Sequence, residues 1–176
     1  GTHQYDAPEF APYEYYFHTP IHLLGSVGIV AGKFAAINAE YEFVNYAGMR
    51  YRSRDGQSTG YFNDINKAIR EKYGISHAVR LGVEFRQNIF RYRVGAQIST
   101  TPFDTKFAPA KDMDQSTMGV SAGLGMRMEK YYVDLGYQYI KNGSYEQPYV
   151  LSYQTVPGIK TARVDQRFMF TVGFIF

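Results

Sequence analysis

The feature that most constrains this chain is an apolar/polar alternation of period two that recurs along much of its length. In residues 75–86, Ile75, His77, Val79, Leu81, Val83 and Phe85 fall on one side, and Ser76, Ala78, Arg80, Gly82, Glu84 and Arg86 on the other. Successive side chains of a β-strand point to opposite faces, so this is a strand with one apolar and one charged or small face. The pattern repeats at once: Phe90, Tyr92, Val94, Ala96 and Ile98 alternate with Arg91, Arg93, Gly95, Gln97 and Ser99. Only Gln87-Asn88-Ile89 separates the two runs, which reads as a hairpin.

Two more hairpins have the same plan. Ile21, Leu23, Val27 and Ile29 lead through Ala31-Gly32-Lys33 into Ile37, Ala39, Tyr41 and Phe43. Met118, Val120, Ala122, Leu124 and Met126 lead through Glu129-Lys130 into Tyr131, Val133, Leu135, Tyr137 and Tyr139. A last strand carries Phe168, Phe170, Val172, Phe174 and Phe176 on one face, with Met169 and Ile175 interrupting the alternation. The connections at 47–74, 101–116 and 141–161 are long, so short and long connections alternate from Ile21 onward. Residues 12–18 are a weaker candidate for an eighth strand. In the longest connection, Phe62, Ile65, Ile69 and Tyr73 share one helical face over residues 61–73, with Asn63 or Ser58 to cap it and Gly74 to stop it in a left-handed conformation.

Several classes are excluded. There are no cysteines, which removes disulfides, thiolate metal sites and thiol catalysis. The net charge of +3 is too small to argue for nucleic acid. No apolar run reaches the ~18 residues of a transmembrane helix. A mean hydropathy of −0.34 does not oppose a membrane barrel, because such a barrel alternates apolar and polar residues. Gly1-Thr2-His3 is not followed by an apolar stretch and is not read as a signal peptide; the chain is read as a mature form or a fragment of a longer precursor. No Ser-His-Asp arrangement stands out, and Ser99 and Ser121 lack a partner, so no enzyme is expected. His3, His18, His22 and His77 show no metal-ligand spacing, so no metal or cofactor is expected. Asn142-Gly143-Ser144 reads as a turn.

The fold expected is all-β: a single domain over residues 1–176, an antiparallel up-and-down transmembrane β-barrel of about eight strands, with a short helix in the longest extracellular loop. A soluble barrel would place its apolar face inside. The apolar faces here carry bulky Phe, Tyr, Leu and Ile, and the opposite faces mix Gly, Ser and Ala with charge, which suits a crowded interior and a lipid exterior. Leu81, Val83, Val94, Leu124, Leu135, Phe170 and Val172 should then point outward. Glu40, Glu42, Arg80, Glu84, Arg86, Arg91, Arg93, Arg127, Asp134, Arg163, Asp165 and Arg167 should form an interior charge network, lining a polar lumen or pairing to neutralise it. Tyr41, Tyr46, Tyr131, Tyr139, Phe90 and Phe176 are candidates for aromatic girdles.

The order of hairpins resembles the C-terminal half of the outer-membrane long-chain fatty-acid transporter family (FadL/TodX type, including the aromatic-hydrocarbon channels). The residues that carry this are Thr19-Pro20, Phe34-Ala35-Ala36-Ile37-Asn38-Ala39-Glu40-Tyr41-Glu42-Phe43 and Ser76-His77-Ala78-Val79-Arg80-Leu81-Gly82-Val83-Glu84-Phe85. To these add Arg93-Val94-Gly95-Ala96, Thr101-Pro102-Phe103, Ser121-Ala122-Gly123-Leu124-Gly125 and Phe170-Thr171-Val172-Gly173-Phe174-Ile175-Phe176. The resemblance covers nearly the whole chain. It implies a Gram-negative outer membrane, membrane lipid as surroundings, hydrophobic small molecules as cargo, and a parent barrel of fourteen strands with an N-terminal hatch, neither of which fits in this chain. The other functions weighed are a small structural or adhesive barrel of the OmpA or OmpX sort and a soluble ligand-binding barrel.

Overall fold

The computed structural model describes residues 14–54, 60–104, 106, 115–146 and 158–175. It is an all-β architecture with one short helix. The strands are β1 (Tyr15–His18), β2 (Ile21–Ala31), β3 (Ala35–Asn45), β4 (Arg50–Ser53), β5 (Ile75–Gln87), β6 (Phe90–Ser99), β7 (Thr117–Arg127), β8 (Tyr131–Glu146) and β9 (Ile159–Phe174). The helix α1 spans Gly60–Lys72, where the sequence predicts it.

Seven strands form one sheet in the order β2-β3-β5-β6-β7-β8-β9, and every neighbouring pair is antiparallel. The three short connections all lie at one end of this sheet. Gly32-Lys33-Phe34 turns between the paired Ala31 and Ala35, with Gly32 at φ +59°. Asn88-Ile89 turns between Gln87 and Phe90, with Asn88 at φ +52°. Both positive values belong to residue types that tolerate the left-handed region. Glu129-Lys130 makes the third turn, closed by the Met128 N–H donating to the Tyr131 carbonyl at 2.9 Å. The long connections lie at the opposite end.

Several expectations need correction. Against the expected meander of about eight strands, the main sheet has seven among the described residues. The segment predicted as the eighth supplies β1, which pairs instead with β4 in a separate two-stranded sheet. Aromatic contacts explain this choice: Tyr51 of β4 has ring centroids 5.5 Å from Tyr15, 4.7 Å from Phe17 and 6.1 Å from Phe62 of α1. β8 and β9 stay paired as far as Glu146↔Ile159, well beyond the predicted strand ends. Asn142-Gly143-Ser144 is therefore strand rather than turn. Gly74 ends the helix without a positive φ. Its lack of a side chain admits a close approach instead: a Cβ there would lie 3.3 Å from the Asp104 Cα, and its N–H donates to the Pro102 carbonyl at 2.9 Å. Phe176 and Ser58, named as a girdle residue and a cap, lie outside the described residues.

The helix buries Phe62 and, less expectedly, Asn66. The Asn66 amide completes the edge of β4: its Oδ1 accepts from the Tyr51 N–H at 2.8 Å and its Nδ2 donates to the Tyr51 carbonyl at 2.9 Å. Replacing a buried group that satisfies both a donor and an acceptor costs about 1–3 kcal/mol. Asn66→Leu should loosen the β1–β4–α1 unit while sparing the main sheet, seen as loss of amide-exchange protection at Tyr51 with β5–β7 unchanged.

Candidate functional site

Residues directly opposite each other in an antiparallel sheet share a face. The registers therefore sort the two faces. One rung runs Ile29, Ile37, Val83, Val94, Ala122, Tyr137, Phe168 across all seven strands. The next rung toward the turns runs Ala31, Ala35, Phe85, Tyr92, Leu124, Leu135, Phe170. Among the described residues this face holds no charge until Lys141, near the long-connection end. Its large apolar side chains are exposed: Leu81 by 52%, Val94 by 60%, Phe170 by 70%. Every residue of the expected charge network lies on the opposite face.

That charged face is concave. An open trough of about 860 Å³ is lined by residues of all seven strands, from Gly28 on β2 to Met169 and Thr171 on β9. Along β5 and β6, side chains on this face are half-buried while their apolar neighbours are exposed. No second layer covers the trough among the described residues, so the shielding comes from the curvature and from the side chains themselves.

The network falls into three groups. Toward the long connections, Arg80 Nη1 on β5 is 2.5 Å from Glu40 and 2.7 Å from Glu42 of β3, and Glu42 also meets His22 of β2 at 2.8 Å. In the middle, Glu84 takes Arg86 at 2.6 Å and Arg93 at 2.7 Å, and Arg93 reaches on to Asp134 of β8 at 2.6 Å. At the far side, Asp165 pairs with Arg163 at 2.9 Å and accepts from Asn142 Nδ2 at 3.4 Å. Three predicted members do not join by ion pairs. Arg91 donates to the carbonyls of Asn88 and Phe90, both at 3.2 Å, and so braces its own turn. Arg127 lies 5.1 Å over the Tyr132 ring. Arg167 has no carboxylate partner among the described residues.

The link from Arg93 to Asp134 spans β7 because that strand presents Gly123 and Gly125 at the crossing. A Cβ at Gly125 would sit 2.3 Å from Asp134 Oδ1. Other glycines serve the same purpose: Asn38 lies over Gly82, Gln97 over Gly119, Tyr132 over Gly173, and Met169 over Gly136. The last contact places the Met169 that interrupts the alternation of the final strand. Gly125→Val should push Asp134 off Arg93 and cost about 1–3 kcal/mol, the range of an overpacked site. Arg93→Met removes both of its bonds. Arg93 is 36% exposed, so solvent screening holds the expected loss to about 1–2 kcal/mol. Urea unfolding in detergent measures both, and Arg93→Lys should fall between Arg93→Met and the unaltered chain.

On the apolar face near the long-connection end, Tyr41 Oη lies 2.7 Å from His77 Nδ1, and Phe43 packs against the same ring at 5.8 Å. Tyr139 shares this end, whereas Phe90 and Tyr131 mark the turn end. Tyr46 sits in a short 3-10 helix just past β3.

No protein-family model and no curated protein sequence matches the chain.

Proposed function

We propose that this sheet is one side of a transmembrane β-barrel in a bacterial outer membrane, and that the completed barrel passes fatty acids or other hydrophobic compounds. The observation that carries the membrane reading is the exposed apolar face running across seven strands, with no charge until Lys141 among the described residues, backed by a face that holds the whole charge network. An exposed apolar surface of this extent is what lipid contact requires. A soluble barrel would need the opposite arrangement. The alternation of short turns at one end and long connections at the other favours periplasmic turns and extracellular loops, with α1 outside.

Strand parity bears on completeness. In a seven-stranded meander, β2 and β9 run in the same direction. Joining them to each other would make a parallel seam. An odd number of further strands closes the sheet with antiparallel pairs throughout and an even total, as bacterial barrels of this kind have. This speaks against a self-sufficient small barrel and for the half-barrel that the transporter resemblance implies. The transport reading rests on that resemblance and on the open trough. Its test is uptake of a labelled fatty acid into vesicles holding either this chain alone or the barrel with both sheet edges completed. Uptake only by the completed barrel is expected; specific uptake by this chain alone, or by neither, contradicts the reading.

A further inference from the structure

The unit built from β1, β4 and α1 carries a polar surface that the sheet does not use. A groove of about 550 Å³ runs between β4 and α1. Asn66, which clamps the Tyr51 backbone, is among the residues that line it. Arg50 and Arg52 of β4 line one wall, and Lys67 and Arg70 of α1 line the other. Asp64 is the one carboxylate that lines it. Lys67 has Glu71 at 3.9 Å, an exposed pair of little strength. The neighbouring Arg54 is taken by Glu14 at 2.7 Å. Arg50, Arg52 and Arg70 have no carboxylate partner among the described residues.

A run of cations on one helix is ordinarily a solvated face. Here the cations come from two elements fixed against each other by the Asn66 clamp and by the Tyr51–Phe62 stack at 6.1 Å. Like charges held across a groove repel, and an anion between them relieves that repulsion. The planar guanidinium fork of arginine matches phosphate oxygens in pairs. The groove is also tethered to the sheet. β1 ends at His18, just before β2 starts at Ile21, and α1 ends at Lys72, just before β5 starts at Ile75. This places it at the long-connection end, where the apolar band gives way to Lys141.

We propose that the groove binds the phosphate groups of a multiply phosphorylated lipid headgroup at the membrane surface. Charge complementarity selects the phosphates, and closeness to the rim of the apolar band selects a lipid as their source. That source rests on the membrane reading; the anion chemistry does not.

The test uses the full protein in neutral detergent, titrated with a bisphosphorylated diglucosamine glycolipid, its dephosphorylated counterpart and inorganic pyrophosphate. The bisphosphorylated lipid should bind at least about tenfold more tightly than either other probe, and R52Q/R70Q should weaken it by about tenfold or more. Lys67→Gln, on the exposed helix surface, should weaken it by about threefold and serves if the double variant loosens the unit, which exchange at the Tyr51 amide reports. Glycolipid binding that neither variant changes overturns the site, as does the absence of binding to any probe. Pyrophosphate binding as tight as the glycolipid's overturns the lipid source. A protein that needs no detergent, with pyrophosphate binding that still depends on Arg52 and Arg70, means that the membrane reading has failed and the anion site has not.

Discussion

Val94→Arg should cost about 2–4 kcal/mol of folding stability in a bilayer, the penalty for an arginine facing lipid at mid-depth. Val94 sits on β6 near the middle of the apolar rung Ile29, Ile37, Val83, Val94, Ala122, Tyr137, Phe168, and is 60% exposed. Among the described residues, nothing on that face offers a carboxylate. The side chain could reach water only by snorkelling past further apolar rungs. Gln97→Arg, three residues along on the concave face, is the matched control. It adds the same charge to a half-buried site beside a polar trough and should change stability by less than about 1 kcal/mol. Equilibrium unfolding from lipid vesicles of the barrel with both sheet edges completed reads both. Equal costs at the two positions would remove the distinction between the faces on which the membrane reading depends.

The second large effect concerns the sheet edges. β2 has 11 residues and β9 has 16, and along each the backbone groups facing away from the sheet have no strand partner among the described residues. About half of an edge strand's N–H and C=O groups point outward, and each left unpaired in hydrocarbon costs several kcal/mol. The sum, on the order of tens of kcal/mol, exceeds the ~5–15 kcal/mol stability of a whole domain. This chain alone should therefore fail to insert as a monomer. Pairing both edges with antiparallel strands should rescue insertion. Heat-modifiable mobility on gels and protease protection in vesicles measure the outcome; stable monomeric insertion of the isolated chain would overturn the half-barrel.

Most of the main sheet is legible in the sequence because its seven strands carry apolar/polar alternation, and because two of the turns use Gly32 and Asn88. The misses share a cause. β4 is only Arg50-Tyr51-Arg52-Ser53, too short to show a period, and its partners are aromatic rings and the Asn66 amide rather than an apolar face. The polar extension of β8 through Lys141, Asn142, Gly143 and Ser144 lacks apolar alternation because it lies past the band, yet its backbone pairing with β9 continues. For the network, alternation places each charged residue on the correct face. It cannot say which pairs meet, since that depends on register between strands and on side-chain-free crossings such as Gly123 and Gly125. Arg93 to Asp134 is therefore a contact that only the assembled sheet discloses.

On the proposed membrane reading, the apolar face meets lipid and the charged face lines an aqueous trough. This chain has no cysteine, so single cysteines can be introduced one at a time along residues 90–99 of β6 and spin-labelled in the bilayer-inserted barrel with both sheet edges completed. Collision with oxygen, which concentrates in lipid, should peak at positions 90, 92, 94, 96 and 98, and collision with a water-soluble nickel complex at 91, 93, 95, 97 and 99. A profile with no period of two, or one with the two reagents exchanged, would contradict the account.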